Sequence, residues 1–148
     1  MAQSGSTMQL TRAADYAVRV TIHLATLPDH QRALLPALAR ATGTPLSFLS
    51  KVLQALCRAG FVASRRGHSG GFELLSAGRQ ASLRQVIEAI DGPICLNLCL
   101  VSGASCGRKS FCPAHPIWAR AKEAMLGVLD TATVADLAAD GFALRARV

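Results

Sequence analysis

Residues 44–75, TPLSFLSKVLQALCRAGFVASRRGHSGGFELL, decide the fold of this chain. The first half predicts an amphipathic helix, because four apolar residues recur there at the spacing of one helical face. These residues are Leu49, Val52, Leu53 and Leu56. We expect Thr44 to be the N-cap of this helix and Pro45 its first residue, since proline suits the first helical position. Gly60 is expected to close the helix.

A shorter apolar helix is expected just before it, over residues 34–42, with Gly43 as its C-terminal stop. Two helices joined by a brief turn predict a helix-turn-helix, in which the second helix enters the major groove of DNA. The outer face of this expected recognition helix carries small, polar and basic residues, namely Ser47, Ser50, Lys51, Gln54 and Arg58. A plain helical hairpin remains the alternative on these two segments alone.

Two strand-like runs follow, at residues 61–64 and 72–75, on either side of the glycine-rich tip RRGHSGG. They predict a β-hairpin, and a hairpin directly after a helix-turn-helix is a wing. The basic residues of its tip are Arg65, Arg66 and His68. A solvated hairpin tip is the alternative, but three basic groups beside a recognition helix favour contact with DNA phosphates or the minor groove.

Composition and charge limit the class of protein. The net charge of +7 favours an anionic partner such as nucleic acid. The chain has 51% hydrophobic residues, which argues against general disorder, and has no apolar run long enough to span a membrane. Residues 1–7 are small and polar without a positively charged start, so we expect a disordered lead-in and no signal peptide. A cytoplasmic protein without a membrane partner is therefore expected.

Three more helices are predicted, at residues 10–24 with Thr11 as cap, at residues 83–90 with Ser82 as cap, and at residues 116–129. The last helix carries an apolar stripe made of Ile117, Ala121, Ala124, Met125 and Val128. A stripe of this kind outside the domain core predicts pairing with the same helix of a second copy, which makes a homodimer. Folding back onto its own domain is the alternative.

The fold class expected from these elements is mainly α-helical with a small β-hairpin wing. It combines a winged helix-turn-helix with a long dimerisation helix. We divide the chain into a lead-in at 1–7, a DNA-binding domain at 8–93, a cysteine segment at 94–113, and a dimerisation helix with its tail at 114–140.

The cysteine segment carries four of the five cysteines. In a reducing compartment, clustered cysteines are typical of metal ligands or redox sensors. Cys99, Cys106 and Cys112 are separated by six and then five residues, without the tight C-x2-C of structural zinc sites. This spacing favours an iron–sulfur cluster, with zinc or a thiol switch as alternatives. Cys95, His115 or a distant carboxylate could supply a fourth ligand.

From about Met8 to Ala139 the chain resembles the Rrf2 family of winged-helix regulators. The likeness lies in MQLTRAADYAVR at 8–19, PLSFLSKVLQAL at 45–56, AGFVASRRGHSGGF at 59–72, LRQVIEAIDG at 83–92 and the three-cysteine segment. The resemblance implies a homodimer, and it implies that Cys99, Cys106 and Cys112 hold a [4Fe–4S] or [2Fe–2S] cluster.

The resemblance also implies two candidates for the fourth ligand. His115 matches the ligand position of IscR-like members, and Asp15 matches the carboxylate that ligates the cluster from the partner subunit in NsrR-like members. Asp15 followed by Tyr16, together with Lys51, favours the NsrR-like type. The alternative for Asp15 is a first-turn carboxylate that favours the helix dipole. Two features depart from the family: Cys95 is an additional cysteine, and the first gap is six residues where many members have five.

The expected function is a DNA-binding transcriptional regulator and repressor, not an enzyme. Its affinity for a double-stranded DNA operator is expected to depend on an iron–sulfur cluster that senses nitric oxide or redox and iron status. Ser47, Ser50, Lys51, Arg65, Arg66 and His68 are the expected DNA contacts. The alternatives are a zinc- or thiol-based redox regulator on the same fold and a small iron–sulfur electron-transfer protein. No nucleophile–base pair or phosphate loop is recognised in the sequence.

Overall fold

The computed structural model describes residues 10–100 and 106–145. The expected lead-in at 1–7 and part of the cysteine segment lie outside these residues. The elements, in chain order, are α1 (Arg12–Thr26), α2 (Leu35–Thr42), α3 (Leu46–Arg58), β1 (Val62–Arg65), β2 (Gly71–Leu74), α4 (Ser76–Gln80), α5 (Leu83–Asp91), a 3-10 turn (Leu98–Leu100), α6 (His115–Leu129) and α7 (Val134–Arg145). The predicted fold class, mainly helical with an antiparallel two-stranded wing, is confirmed.

The hydrophobic core lies between α1, α3, α5 and the wing. The four residues predicted for the buried face of α3 are all at most 2% exposed. Residues Ala14, Ala17, Val20 and Leu24 form the buried face of α1 against them. Burial of one such large aliphatic side chain contributes about 1.5–3 kcal/mol, so these faces fix how the recognition helix is held.

The turn of the helix-turn-helix differs in detail from the prediction. Gly43 adopts the left-handed conformation, φ 65°, and ends α2 as expected. The prediction of Thr44 as N-cap was wrong, because α3 begins at Leu46 with Pro45 at the cap position and no side-chain cap hydrogen bond. Thr44 is buried instead, and its hydroxyl accepts a 2.9 Å hydrogen bond from the Thr42 hydroxyl.

Two other predicted caps are confirmed. The Thr11 hydroxyl accepts a hydrogen bond from the backbone N–H of Ala14, at 3.1 Å. Ser82 and Gln85 form a reciprocal capping box at the start of α5, which satisfies two backbone donors that a helix N-terminus leaves open. Both caps therefore set where α1 and α5 begin.

Helix α7 was not predicted from the sequence, where residues after 129 were taken as a tail. It returns to the DNA-binding domain, since Val134 and Ala138 are buried and α7 packs against α1. The backbone N–H of Val134 donates to the carbonyl of Ala81, at 2.9 Å. The chain that follows α6 is therefore part of the same core as the recognition helix.

Helix α6 is the exposed element. None of its residues is buried, and Ile117 and Val128 are 60% and 69% exposed. The predicted helix is confirmed, although it begins one residue earlier, at His115. Within the part of the chain described here, no helix is long and apolar enough to cross a membrane.

Candidate functional site

The outward side of α3 carries the predicted DNA contacts. Ser47 and Lys51 are exposed one helical turn apart, and Ser50 is half-buried beside them. The buried leucine and valine residues occupy the opposite side of the helix. The helix therefore presents a small, polar and basic surface while its apolar side is anchored in the core, as a recognition helix requires.

The wing places its basic residues at an exposed tip. Arg66 and His68 are exposed between β1 and β2, and Arg65 is exposed at the end of β1. Gly71, the first residue of β2, has φ 119° and lies so close to the backbone of Ala33 that a Cβ would meet its carbonyl oxygen at 2.7 Å. Glycine is the residue that accepts both conditions. In the RRGHSGG stretch, the glycine at position 71 therefore sets the shape of the wing, and the basic residues supply its charge.

A short extended segment between α1 and α2 braces this wing, and its pairing with the wing was not predicted from the sequence. Ala33 pairs with Phe72 through two backbone hydrogen bonds, of 3.0 and 2.9 Å. Arg32 Nη1 donates to the carbonyl oxygen of Ser69 at the tip, at 3.0 Å. Arg32 Nε also lies 3.5 Å from Glu73 Oε2, on the second strand. The wing is therefore held at a defined angle to the helices.

Asp15, the candidate partner-subunit ligand, forms an ion pair on its own helix. Its Oδ2 lies 2.6 Å from Nη2 of Arg19, one turn further along α1, and both side chains are about half exposed. The Arg19 guanidinium also lies over the ring of Tyr16, 5.8 Å from its centroid. The carboxylate is therefore accessible, but it already has a cationic partner within the chain.

The cysteines of the segment between α5 and α6 differ in their surroundings. Cys99, in the 3-10 turn, Cys106 and Cys112 are all partly buried. Cys95 Sγ lies 3.6 Å from Lys122 Nζ on α6 and 3.7 Å from the carbonyl oxygen of Leu100. Cys95 is thus held against the side of α6, whereas the three cysteines that match the family motif lie further along the segment.

His115 is the first residue of α6 and has an unusual side chain. Its Nδ1 is buried and has no hydrogen-bond partner among the described residues. A buried polar atom of this kind costs free energy unless something satisfies it. The His115 backbone N–H donates to the carbonyl oxygen of Cys112, at 3.2 Å, so the imidazole and the last cysteine belong to the same turn.

These donors fit an iron–sulfur cluster chemically. Thiolates are its usual ligands, and an imidazole nitrogen or carboxylate replaces one of them in some sites. Among residues 10–100 and 106–145, no group of three His, Cys, Asp or Glu side chains is close enough to hold one metal ion. The structure thus places Cys112 and His115 in one backbone turn and leaves the convergence of the ligand side chains as a prediction.

A charged network joins the cysteine segment to the helices on either side. Glu88 on α5 accepts a hydrogen bond from the backbone N–H of Ile94, at 3.1 Å, and pairs with Arg84, at 3.2 Å. Arg84 Nη1 reaches Asp130 Oδ2 at the end of α6, at 3.1 Å, and the Ser82 hydroxyl donates to Asp130 Oδ1, at 2.8 Å. Hydrogen bonds from Ser82 and Arg84 lower the pKa of Asp130 below its usual value.

Cys57, the fifth cysteine, lies on α3 and packs against the core, as the sequence indicated. Burial raises the pKa of its thiol, although a hydrogen bond with Ser64 and the charge of Arg58 act in the opposite direction. A thiol with a raised pKa is mostly protonated near neutrality and is poorly suited to bind metal. Cys57 is therefore a packing residue.

A helix-turn-helix with a basic outer face and a braced basic wing defines a winged-helix DNA-binding regulator. Residues 10–140 match the Rrf2 family, described as an iron-dependent transcriptional regulator, and the chain belongs to this family. An HTH-type transcriptional regulator of Rhodobacter capsulatus, described as rrf2-like, is 34% identical over 140 residues, which cover 89% of this chain and 93% of that protein. The predictions of family and of a regulator rather than an enzyme are confirmed.

Solved structures agree on the fold. CymR of B. subtilis, described as its global cysteine regulator, superposes with a TM-score of 0.71 at 24% identity. The match covers 90% of this chain and 98% of the CymR chain. IscR of T. potens superposes with a TM-score of 0.70 at 23% identity, and the match covers 90% of this chain and 88% of the IscR chain. These two likenesses show the winged-helix fold, whereas the family match identifies the chain as a transcriptional regulator.

Proposed function

We propose that this regulator is a homodimeric repressor whose affinity for a double-stranded DNA operator is controlled by an iron–sulfur cluster, either [4Fe–4S] or [2Fe–2S]. The observation that carries the proposal is the buried His115 Nδ1, which has no hydrogen-bond partner among the described residues and lies in the same turn as Cys112. The description of the family as an iron-dependent transcriptional regulator supports the proposal of an iron-containing cofactor. A cytoplasmic location accompanies the proposal as a prediction.

Cys99, Cys106 and Cys112 would hold the cluster in this proposal. Of the two fourth ligands that the family resemblance implies, Asp15 of the partner subunit is the one proposed, and the buried imidazole Nδ1 of His115 supports the other. Cys95 is a further candidate for the fourth ligand, and its sulfur lies beside Lys122 Nζ and the carbonyl oxygen of Leu100. When bound, the cluster would supply reactivity towards nitric oxide or oxidants, which gives the regulator its signal.

The contacts around the cysteine segment suggest how a change there reaches DNA. Glu88 holds the start of the segment at Ile94, and Asp130 joins the end of α6 to Arg84 on the same helix, α5. Helix α5 packs against α1 and the recognition helix α3. A rearrangement of the segment would therefore act on α5 and, through it, on the position of α3.

The exposed face of α6 is the proposed dimer interface. Ile117, Ala121, Ala124 and Val128 share one side of the helix and are all exposed in the single chain. Pairing of two such faces about a two-fold axis would bury them and present two recognition helices to two half-sites. Sedimentation should give the mass of a dimer, and Val128→Asp should shift it towards the monomer, whereas Glu123→Gln on the same helix should not.

Anaerobic purification tests the cofactor directly. We expect a coloured protein with visible absorbance bands and matched iron and sulfide content, and loss of both in Cys112→Ala. Cys57→Ala is the control, because Cys57 is a packing thiol far from the segment in sequence. A colourless protein that holds zinc, or holds no metal and forms disulfides, would replace the cluster with the zinc- or thiol-based alternative.

A further inference from the structure

Phe48 is a large apolar side chain on the DNA-reading side of the molecule. It lies in the first turn of α3 next to Ser47 and is 46% exposed. Its neighbours on the outer face are polar or charged, with Lys51 one turn further along. A single exposed apolar side chain is common at a protein surface, but this one lies in the first turn of the helix whose outer face carries the expected DNA contacts.

The ring of Phe48 has a defined position. It makes an edge-to-face contact with Tyr16 of α1, with 5.9 Å between ring centroids and 69° between planes. Tyr16 itself packs against the hydrophobic core. The contact orients the Phe48 ring and leaves much of it open to solvent, so the ring presents an apolar surface beside Ser47.

We propose that Phe48 recognises a thymine in the operator by packing against its 5-methyl group in the major groove. Residues in the first turns of a recognition helix contact base edges. The thymine methyl is the apolar group that this groove displays, and apolar side chains read it by contact. The inference rests on the proposed function, because it requires α3 to bind in the major groove of an operator.

The neighbouring side chains make this contact compatible with the groove. Ser47 is small and adds little bulk beside the ring, and Lys51 supplies positive charge on the same surface. Leu46 is similarly apolar and 52% exposed. At about 100° per residue it projects roughly 160° away from Phe48 around the helix axis. Leu46 is therefore a matched control for exposed apolar surface that does not face the same base.

The test requires a DNA duplex whose sequence the protein binds with preference. Duplexes are first selected from a random library with the wild-type, full-length, anaerobically purified regulator. Each thymine of the selected half-site is then replaced in turn by deoxyuridine, which removes only the methyl group. At one position we expect wild-type binding to weaken about 3- to 5-fold, the value of one buried methyl group. Phe48→Ala should bind the thymine duplex more weakly and be indifferent to uracil at that position.

The controls make each result decisive. Leu46→Ala should keep the wild-type discrimination at that position. If Phe48→Ala does not fold, Phe48→Gln takes its place, because it keeps bulk beside Tyr16 and removes the aromatic surface. Equal thymine-to-uracil ratios for the wild-type and the Phe48 variant at every position, or a selected half-site without thymine, would overturn the inference while leaving the regulator intact. Failure to enrich any sequence would overturn the proposed function and this inference with it.

Discussion

The carboxylate of Asp15 and the guanidinium of Arg19 form an ion pair of 2.6 Å on the first helix. A carboxylate in a first helical turn with a cation four residues later stabilises a helix by itself, by about 0.3–0.5 kcal/mol. The pair therefore gives Asp15 a structural role that is independent of any cluster. The question for the sensor is whether this side chain or His115 completes the ligand set.

We expect Asp15→Ala to shorten the lifetime of the cluster in anaerobic protein by about tenfold or more, the scale on which losses around a metal site weaken it. Arg19→Ala is the control, because it breaks the ion pair and keeps the carboxylate. The decay of visible absorbance measures both. If His115→Ala loses the cluster and Asp15→Ala retains it with the wild-type lifetime, Asp15 is only a helix-turn acid and His115 is the ligand.

The basic wing should determine how steeply DNA binding depends on salt. We expect Arg66→Ala to weaken binding to all duplexes and to reduce the slope of log K against log salt by about one, since one phosphate contact is lost. Fluorescence anisotropy over a series of salt concentrations measures the slope. Lys109→Ala makes the same change of charge outside the winged helix, and an equal loss of slope in this variant would show that net charge alone is responsible.

The core behind the recognition helix should limit the stability of the whole domain. Leu53 is fully buried, so Leu53→Ala should lower the free energy of unfolding by about 2–5 kcal/mol. Leu46→Ala, on the same helix but 52% exposed, should change it little. Urea unfolding followed by circular dichroism at one protein concentration measures both. Equal effects of the two substitutions would contradict the packing described for α3.

Acid should weaken the link between α6 and α5. Hydrogen bonds from Ser82 and Arg84 lower the pKa of Asp130 in the folded chain. The ionised carboxylate therefore stabilises the fold fully above the usual carboxyl pKa of about 3.9. This stabilisation is lost as the pH falls through the lowered pKa of the folded chain. Urea unfolding from pH 6 to pH 3 should show a shallower loss for Asp130→Asn than for the wild-type chain. Asp140→Asn, at an exposed aspartate on α7, is the control. Identical pH profiles for wild type and Asp130→Asn would contradict the network.

The parts of the fold that could be predicted are those encoded locally. The buried face of α3, the Thr11 and Ser82 caps and the glycine-rich wing are each visible within a few neighbouring residues. Helix α7 was missed because its place depends on distant contacts, between Val134 and Ala138 and the first helix of the chain. The Thr44 cap was wrong because α3 begins at Leu46, which places Pro45 at the cap position and leaves Thr44 buried one residue earlier.

In the candidate site, too, the locally encoded features could be predicted and those that depend on distant contacts could not. The spacing of the cysteines and the basic residues of α3 and the wing are sequence features, so the candidate ligands and DNA contacts could be named in advance. The Ala33–Phe72 brace and the Arg84–Asp130 pair join residues that are far apart in the chain, the latter 46 positions apart. The buried Nδ1 of His115 could not be foreseen either, because burial is decided by packing.

The dependence of DNA affinity on the cluster is the central claim, and one comparison tests it most directly. The dissociation constant for the selected duplex is measured anaerobically for cluster-loaded protein and for the same preparation after the cluster is removed. We predict a difference of about tenfold or more in the wild type, the usual scale of coupling between a sensor and a binding site, and no difference in Cys112→Ala. Equal constants for the two wild-type forms, with iron and sulfide verified in the first, would contradict the account.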